Sequence, residues 1–465
     1  MSSLLHLVVP WALLAGFLLG AFRWRIFLLG IPFLMLMDAS VFFDTMKLFH
    51  IPGRLGANER LLLWLCLVWV FASGKLLARQ SSEDLEPAGR RASPLLPEEL
   101  VVVALGALVL GHTVADALRG GDFGGSTGRS LGMLSMVVGY FLIRDIVAHA
   151  SRREVILFLT ALVVVNLVAT LMFILHQGLH MHVYSVAEKA TFLFGGRVLT
   201  RSHTFAPPFV VLTISFVLAR RRWTPLWALV LLTTLVGIWV SYTRIWLVVF
   251  VAELMLALLL RQLKQPAASR LLKRVLALVV LGLTLFWASM VFIPTETRYF
   301  EQRLGGLRSN PTGAGDTSFL YRSQFLSSTI DVVRAKDLVF GLGYPPESAT
   351  PEAEQVRLWG SDMAWITVVY RLGVAGVLVF VILFVSYGAR AFMLFMRGSD
   401  DGEYLGLVFA LAIAGIALST AGTWAFMKQG GLPLGLWIFA FLAAEARRGK
   451  RIEPASSPPA PAGAS

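Results

Sequence analysis

Apolar runs of roughly 17–25 residues recur along this chain from end to end, and each is long enough for a helix to cross the hydrocarbon core of a bilayer. In that solvent every backbone polar group must be satisfied within the structure, so only helices and closed barrels can span it. The runs are continuous rather than alternating, which excludes a barrel. Composition agrees: 57% of the 465 residues are apolar and 15% charged, where a soluble domain carries about a quarter charged residues. The net charge of +13 does not point to nucleic acid, because the Lys and Arg are scattered between apolar spans and form no basic domain. The chain reads as all-α: a polytopic transmembrane helical bundle whose first partner is the lipid bilayer.

About 12–13 spans are expected, at 4–21, 25–43, 61–78, 97–117, 131–148, 155–175, 205–219, 225–241, 245–260, 275–293, 363–388, 404–421 and 432–446. The N-terminus lacks the positive leader of a cleaved signal peptide and reads as a retained first span. No internal repeat is visible, which weighs against many transporter folds. Orientation follows from Lys and Arg in short loops. One alternate set of loops carries 23 of them, among them Arg144, Arg152, Arg220, Arg221, Arg222, Arg261, Lys264, Arg390 and Arg447, and the other short loops carry 10. The richer set is expected in the cytoplasm, with the C-terminus inside. Residues 1–194 are then N-terminal spans, 195–293 a second group of spans, 294–362 one long outer loop, 363–446 the C-terminal spans and 447–465 a disordered tail rich in Pro, Ala and Ser. The 69-residue loop 294–362 contains aromatics, a helical stretch and Gly-rich turns, so it is expected to form short helices against the outer membrane face.

Three segments bear chemistry. Within 318–336 (SFLYRSQFLSSTIDVVRAK), Phe319, Leu326, Ile330 and Val333 share one helical stripe, and Arg322 falls on it. An Arg there either snorkels to the headgroups or meets an anion in a membrane-level cavity. In 241–246 (SYTRIW), Arg244 stands at the outer end of a span. It fits either an interfacial anchor or a bidentate grip on phosphate. Asp362 opens the span at 363, either as a helix cap or as a general base for an incoming hydroxyl. Two Arg on one side of the membrane, beside a long outer loop, suggest a diphosphate. Deeper charges at Glu253 and Arg371, each about 12 Å from the outer ends of their spans at 1.5 Å per residue, suggest a structural ion pair.

Other features carry less. The only cysteine, Cys66, lies within an apolar run and has no partner for a disulfide or thiolate metal site, so it is expected to be a small buried hydrophobe. His176, His180 and His182 cluster, but Gly178 interrupts them and no carboxylate lies at ligand spacing, so no metal is expected. Gly16 and Gly20 form a GxxxG, which favours close helix packing. There is no phosphate-binding Walker loop, dinucleotide fingerprint or nucleophile elbow, and no cofactor is implied.

Over about residues 195–385 the chain resembles the O-antigen ligase and O-antigen polymerase superfamily of bacterial envelope enzymes. The resemblance rests on 196–207 (GRVLTRSHTFAP), with Arg197 and Arg201, on the Ser-x-x-Arg at 241–244, and on the long loop with Arg322. The turn Gly341-x-Gly343 and the motif Leu372-Gly373-x-x-Gly376 complete it. It implies a metal-independent glycosyltransferase of the bacterial inner membrane, working at the periplasmic face on a glycan carried by undecaprenyl diphosphate. Arg244 and Arg322 would bind the diphosphate and stabilise its departure, assisted by Arg197 and Arg201. In the ligases a His stands eleven residues before the first Gly of the final motif. Here Asp362 stands there, a departure that favours the polymerase branch. A ligase joining glycan to lipid A core, or a non-enzymatic flippase or carrier, are the competing expectations.

Overall fold

The computed structural model describes residues 2–38, 57–83, 95–118, 123–177, 191–194, 197–200, 207–221, 224–240, 244–264, 317–343, 364–420 and 431–452. Thirteen α-helices lie among them: α1 Ser2–Arg23, α2 Gly30–Asp38, α3 Ala57–Glu83, α4 Pro97–Leu118, α5 Phe123–Ala148, α6 Arg152–Gln177, α7 Pro207–Leu218, α8 Pro225–Val240, α9 Arg244–Lys264, α10 Thr317–Lys336, α11 Ala364–Arg397, α12 Asp400–Ser419 and α13 Gly431–Ile452. A 3-10 turn, Arg25–Leu29, joins α1 to α2, and two four-residue strands, β1 Thr191–Phe194 and β2 Arg197–Thr200, pair antiparallel. Every expected span has a helix at its position except 275–293, which lies outside the described residues. Among those described, six helices are long and apolar enough to cross a membrane and five apolar helices are shorter.

Apolar burial drives helix association only weakly within lipid, so close packing and interhelical polar bonds decide how such helices assemble. The interior is aromatic: Phe33 packs edge-on against Phe158 and Phe209 and tilts over Trp437, and Tyr387 stacks on Phe439 at 4.7 Å. Polar links cross between helices. Asn166 donates to Thr213 at 2.9 Å, joining α6 to α7, and the hydroxyls of Tyr140 and Tyr387 bond across α5 and α11.

The strongest links gather at one end of the bundle. Arg390 forks onto both oxygens of Glu98 at 2.8 and 2.7 Å. Glu99, fully buried, receives Arg144 at 3.1 Å and Arg447 at 2.8 Å. Glu445 receives Arg152 at 2.9 Å and also Arg448. Glu403 receives Arg221 at 2.6 Å and Lys264 at 2.8 Å. Arg261 caps the end of α7 by donating to the carbonyls of Leu218 and Arg220, and Ser151 and Glu154 form a reciprocal capping box at the start of α6. These cations belong to the loops assigned to one side by charge. They bring the starts of α4, α6 and α12 together with the ends of α5, α7, α9, α11 and α13. The starts of α7, α9 and α11 and the end of α4 therefore lie at the opposite, far end.

Several expectations need correction. The span at 25–43 is broken: the chain turns through the 3-10 segment before α2, and Gly20 and Gly30 are packed tightly against the rings of Phe27 and Phe17. Gly16 has nothing within 4 Å of where a Cβ would stand, so Gly16 and Gly20 do not form one packing face among the described residues. Cys66 is exposed on α3 rather than buried, beside the exposed Leu63 and Leu67. The Glu253–Arg371 pair is not made. Glu253 accepts a 2.7 Å hydrogen bond from Ser215, and its other oxygen has no hydrogen-bond partner among the described residues. Depth explains the failure. Glu253 lies roughly 12 Å above Arg261 along α9, whereas Arg371 lies roughly 28 Å above Arg390 along α11. Arg371 thus stands at the far boundary of the apolar layer and Glu253 near its middle.

Candidate functional site

The far end is organised by a break in α11. Its 34 residues run from Ala364 to Arg397, but Gly373 has φ 62 and ψ −159, and the helix kinks there. A broken helix leaves carbonyls before the break and N–H groups after it without partners, which lipid cannot satisfy. The turn after α10 satisfies them. Leu342 and Gly343 donate to the carbonyls of Tyr370 and Arg371 at 2.7 and 3.0 Å, and Val374 and Ala375 donate to those of Leu338 and Val339 at 3.0 Å each. The two glycine motifs read from the sequence, Gly341-x-Gly343 and Leu372-Gly373-x-x-Gly376, thus meet each other.

Only glycine fits the crossing. A Cβ on Gly341 would stand 2.5 Å from the nitrogen of Gly373, and one on Gly373 would stand 2.4 Å from the carbonyl oxygen of Val339. Both residues have positive φ, 78 and 62, which L side chains rarely adopt. Asp337 fixes the approach: its side chain accepts from the N–H groups of Val339 and Phe340 at 3.0 and 2.9 Å.

A third element closes the turn from the side. His112, near the end of α4, bonds through Nε2 to the carbonyl of Phe340 at 2.7 Å. A carbonyl can only accept, so Nε2 carries the proton. One helical turn on, Asp116 joins it: the space in which a Gly343 side chain would sit is bounded by His112 Nδ1 at 3.0 Å and the Asp116 carboxylate oxygens at 3.1 and 3.3 Å. The sequence reading missed this pair. Its signal is a His and an Asp four residues apart on one face of an apolar span.

Helix α10 is rooted at this crossing. Val333 is fully buried against Ile366 and Tyr370 of α11, and Thr329, one turn earlier, is buried too. Ile330 is 39% exposed, so the buried seam runs through Thr329 and Val333 rather than along the expected stripe. Arg322 lies in α10 eleven residues before Val333, three turns away and on the same face by register. Arg244 is the first residue of α9, and α9 ends in the ionic cluster, so Arg244 begins that helix at the far end. The helices bearing Arg244 and Arg322 therefore meet the same end of the bundle. Arg197 opens β2, paired with Phe194, in the connection between the end of α6 and the start of α7. Asp362 and Arg201 lie outside the described residues, as do His180 and His182. Among the described residues, no group of three or more His, Cys, Asp or Glu could hold a metal ion.

The far end thus offers a membrane-level backbone crossing and an anchored helix that carries one of the two arginines singled out by sequence. No protein-family model and no curated protein matches this chain.

Proposed function

We propose that this chain is a glycosyltransferase that transfers or polymerises glycan repeats carried on undecaprenyl diphosphate, working at the periplasmic face of a bacterial inner membrane. One observation carries the reading: the glycine crossing roots the Arg322 helix at the end of the bundle where α9 begins with Arg244. Helix lengths make convergence feasible. Arg322 lies roughly 16 Å along α10 from Val333, about the span of two helix–helix spacings of 8–10 Å. The packing order runs from α11 through α12 to α9, so α10 is long enough to reach from its root to α9.

In the proposed reaction, Arg244 and Arg322 grip the diphosphate, and Arg197 and Arg201 add positive potential. The Asp362 carboxylate takes the proton from a hydroxyl of the acceptor sugar. That hydroxyl oxygen bonds to the anomeric carbon while the carbon–oxygen bond to phosphate breaks, and the lipid diphosphate departs with the electron pair. Fixed guanidinium groups stabilise the charge that develops on it. The excess of Lys and Arg at the ionic end supports a cytoplasmic position for that end and a periplasmic one for the crossing.

The test is Arg322→Ala in a strain lacking the native copy, read as glycan ladders and as lipid-linked repeats. Loss of one charge-stabilising donor lowers such rates by about 10²–10³-fold. Long chains should disappear and single lipid-linked repeats should accumulate on the outer leaflet. Unchanged chain length would reject the role. Accumulation of finished lipid-linked polymer beside uncapped lipid A core would point to the ligase reaction instead. Repeats retained on the inner leaflet would point to a flippase.

A further inference from the structure

Beyond Val333 and the turn that follows it, α10 is a lever. Ser327, Ile330, Asp331, Arg334 and Lys336 are exposed along its second half, and the buried residues Thr329 and Val333 lie near its C-terminal root. Arg322 stands roughly 16 Å out from Val333, so a 10° rotation at the root moves it about 3 Å. A displacement of about 1 Å can already cost about a hundredfold in rate. What fixes the root therefore bears on what the arginine can do.

Among the described residues the root has two walls. One is α11, through the four backbone bonds across the glycine crossing. The other is α4, and it consists of side chains: the His112 Nε2–H on the Phe340 carbonyl and the Asp116 carboxylate against Gly343. A Cβ on Gly343, at φ 72, would meet His112 Nδ1 at 3.0 Å and the Asp116 oxygens at 3.1 and 3.3 Å, tighter than ordinary contact. The four backbone bonds join the turn to α11 along one side. His112 stands beside that crossing, on a different helix, and bonds the turn from another side.

We infer that His112 is a positioning residue: by donating to Phe340 it locks the root of α10 and thereby sets where Arg322 stands. The activity arm of this inference rests on the transferase reading, and the motional arm does not. The imidazole need not touch substrate. Its required property is a donor at the Nε2 position, which a glutamine amide can supply and a leucine cannot.

The experiment uses the full-length protein with Cys66→Ser, which removes the only thiol, and Ser327→Cys carrying a nitroxide spin label. Wild type, His112→Gln and His112→Leu are compared in proteoliposomes by the label's spectrum and in cells by glycan ladders. In wild type and His112→Gln the label should report one restrained state, with polymer within about threefold of wild type. In His112→Leu the ratio of mobile to restrained label should rise about fivefold, the worth of one hydrogen bond, and polymer should fall at least tenfold. A label equally restrained in His112→Leu would overturn the inference. Loss of polymer in His112→Gln with the label still restrained would also overturn it, because the imidazole itself would then take part in the chemistry. If wild type yields no polymer at all, the transferase reading fails, while the spectra alone decide whether His112 locks the lever.

Discussion

Replacing Gly373 by alanine tests the crossing directly. At φ 62 and ψ −159 an L residue pays about 1–3 kcal/mol in backbone strain. The added methyl would also stand 2.4 Å from the Val339 carbonyl oxygen and 2.6 Å from the Gly341 nitrogen. These are backbone atoms that cannot rotate aside, so the two segments must part. Losing at least two of the four crossing bonds removes about 1 kcal/mol each, giving a total of about 3–5 kcal/mol. The control lies in the same helix: Gly388 has nothing within 4 Å of its missing Cβ, and Gly388→Ala should be neutral or stabilising by up to about 1 kcal/mol through helix propensity. Reversible unfolding in mixed detergent micelles, followed by tryptophan fluorescence and circular dichroism, measures both. Gly373→Ala as stable as Gly388→Ala would refute a backbone crossing at this position.

Two further outcomes follow from the ionic end and from α3. Glu98→Ala should destabilise the protein by about 1.5–3 kcal/mol, because it leaves the Arg390 guanidinium, 23% exposed, without its bidentate partner; the swap Glu98→Arg with Arg390→Glu should recover part of that loss in the same unfolding assay, and no recovery would show that the two sites do not face each other. Cys66, exposed on an apolar helix, should react in intact membranes with a lipid-soluble maleimide and not with a charged, membrane-impermeant one. The reverse pattern would place that face of α3 in water.

The spans were legible because hydropathy over some twenty residues depends on no neighbour, and even the far boundary of α10 could be read from its periodicity. What the sequence could not supply was azimuth and interruption. Glu253 and Arg371 seemed to match in depth only because the span was counted from residue 363, while the working span of α11 begins after Gly373. The break is hidden inside an unbroken apolar run, and its only trace is a Leu-Gly-x-x-Gly that a straight helix would also tolerate. The importance of that motif and of Gly341-x-Gly343 was readable, but their mutual contact was not, since nothing local says which turn fills which gap. His112 and Asp116 carry no signal of their own, because each alone resembles an ordinary polar residue near a helix end. Their meaning depends on a loop more than two hundred residues away.

The ionic end also says something about how the chain is made. Glu99 enters the membrane early in synthesis, yet one of its two guanidinium partners, Arg447, is 348 residues downstream. Glu445 likewise bridges the last described helix to Arg152. Until α13 emerges from the ribosome, the early helices hold an acidic group whose charge is only half answered. Final closure of the bundle is thereby postponed until translation is nearly complete, and a chain stopped before α13 would present that half-answered acid to the membrane's quality-control proteases.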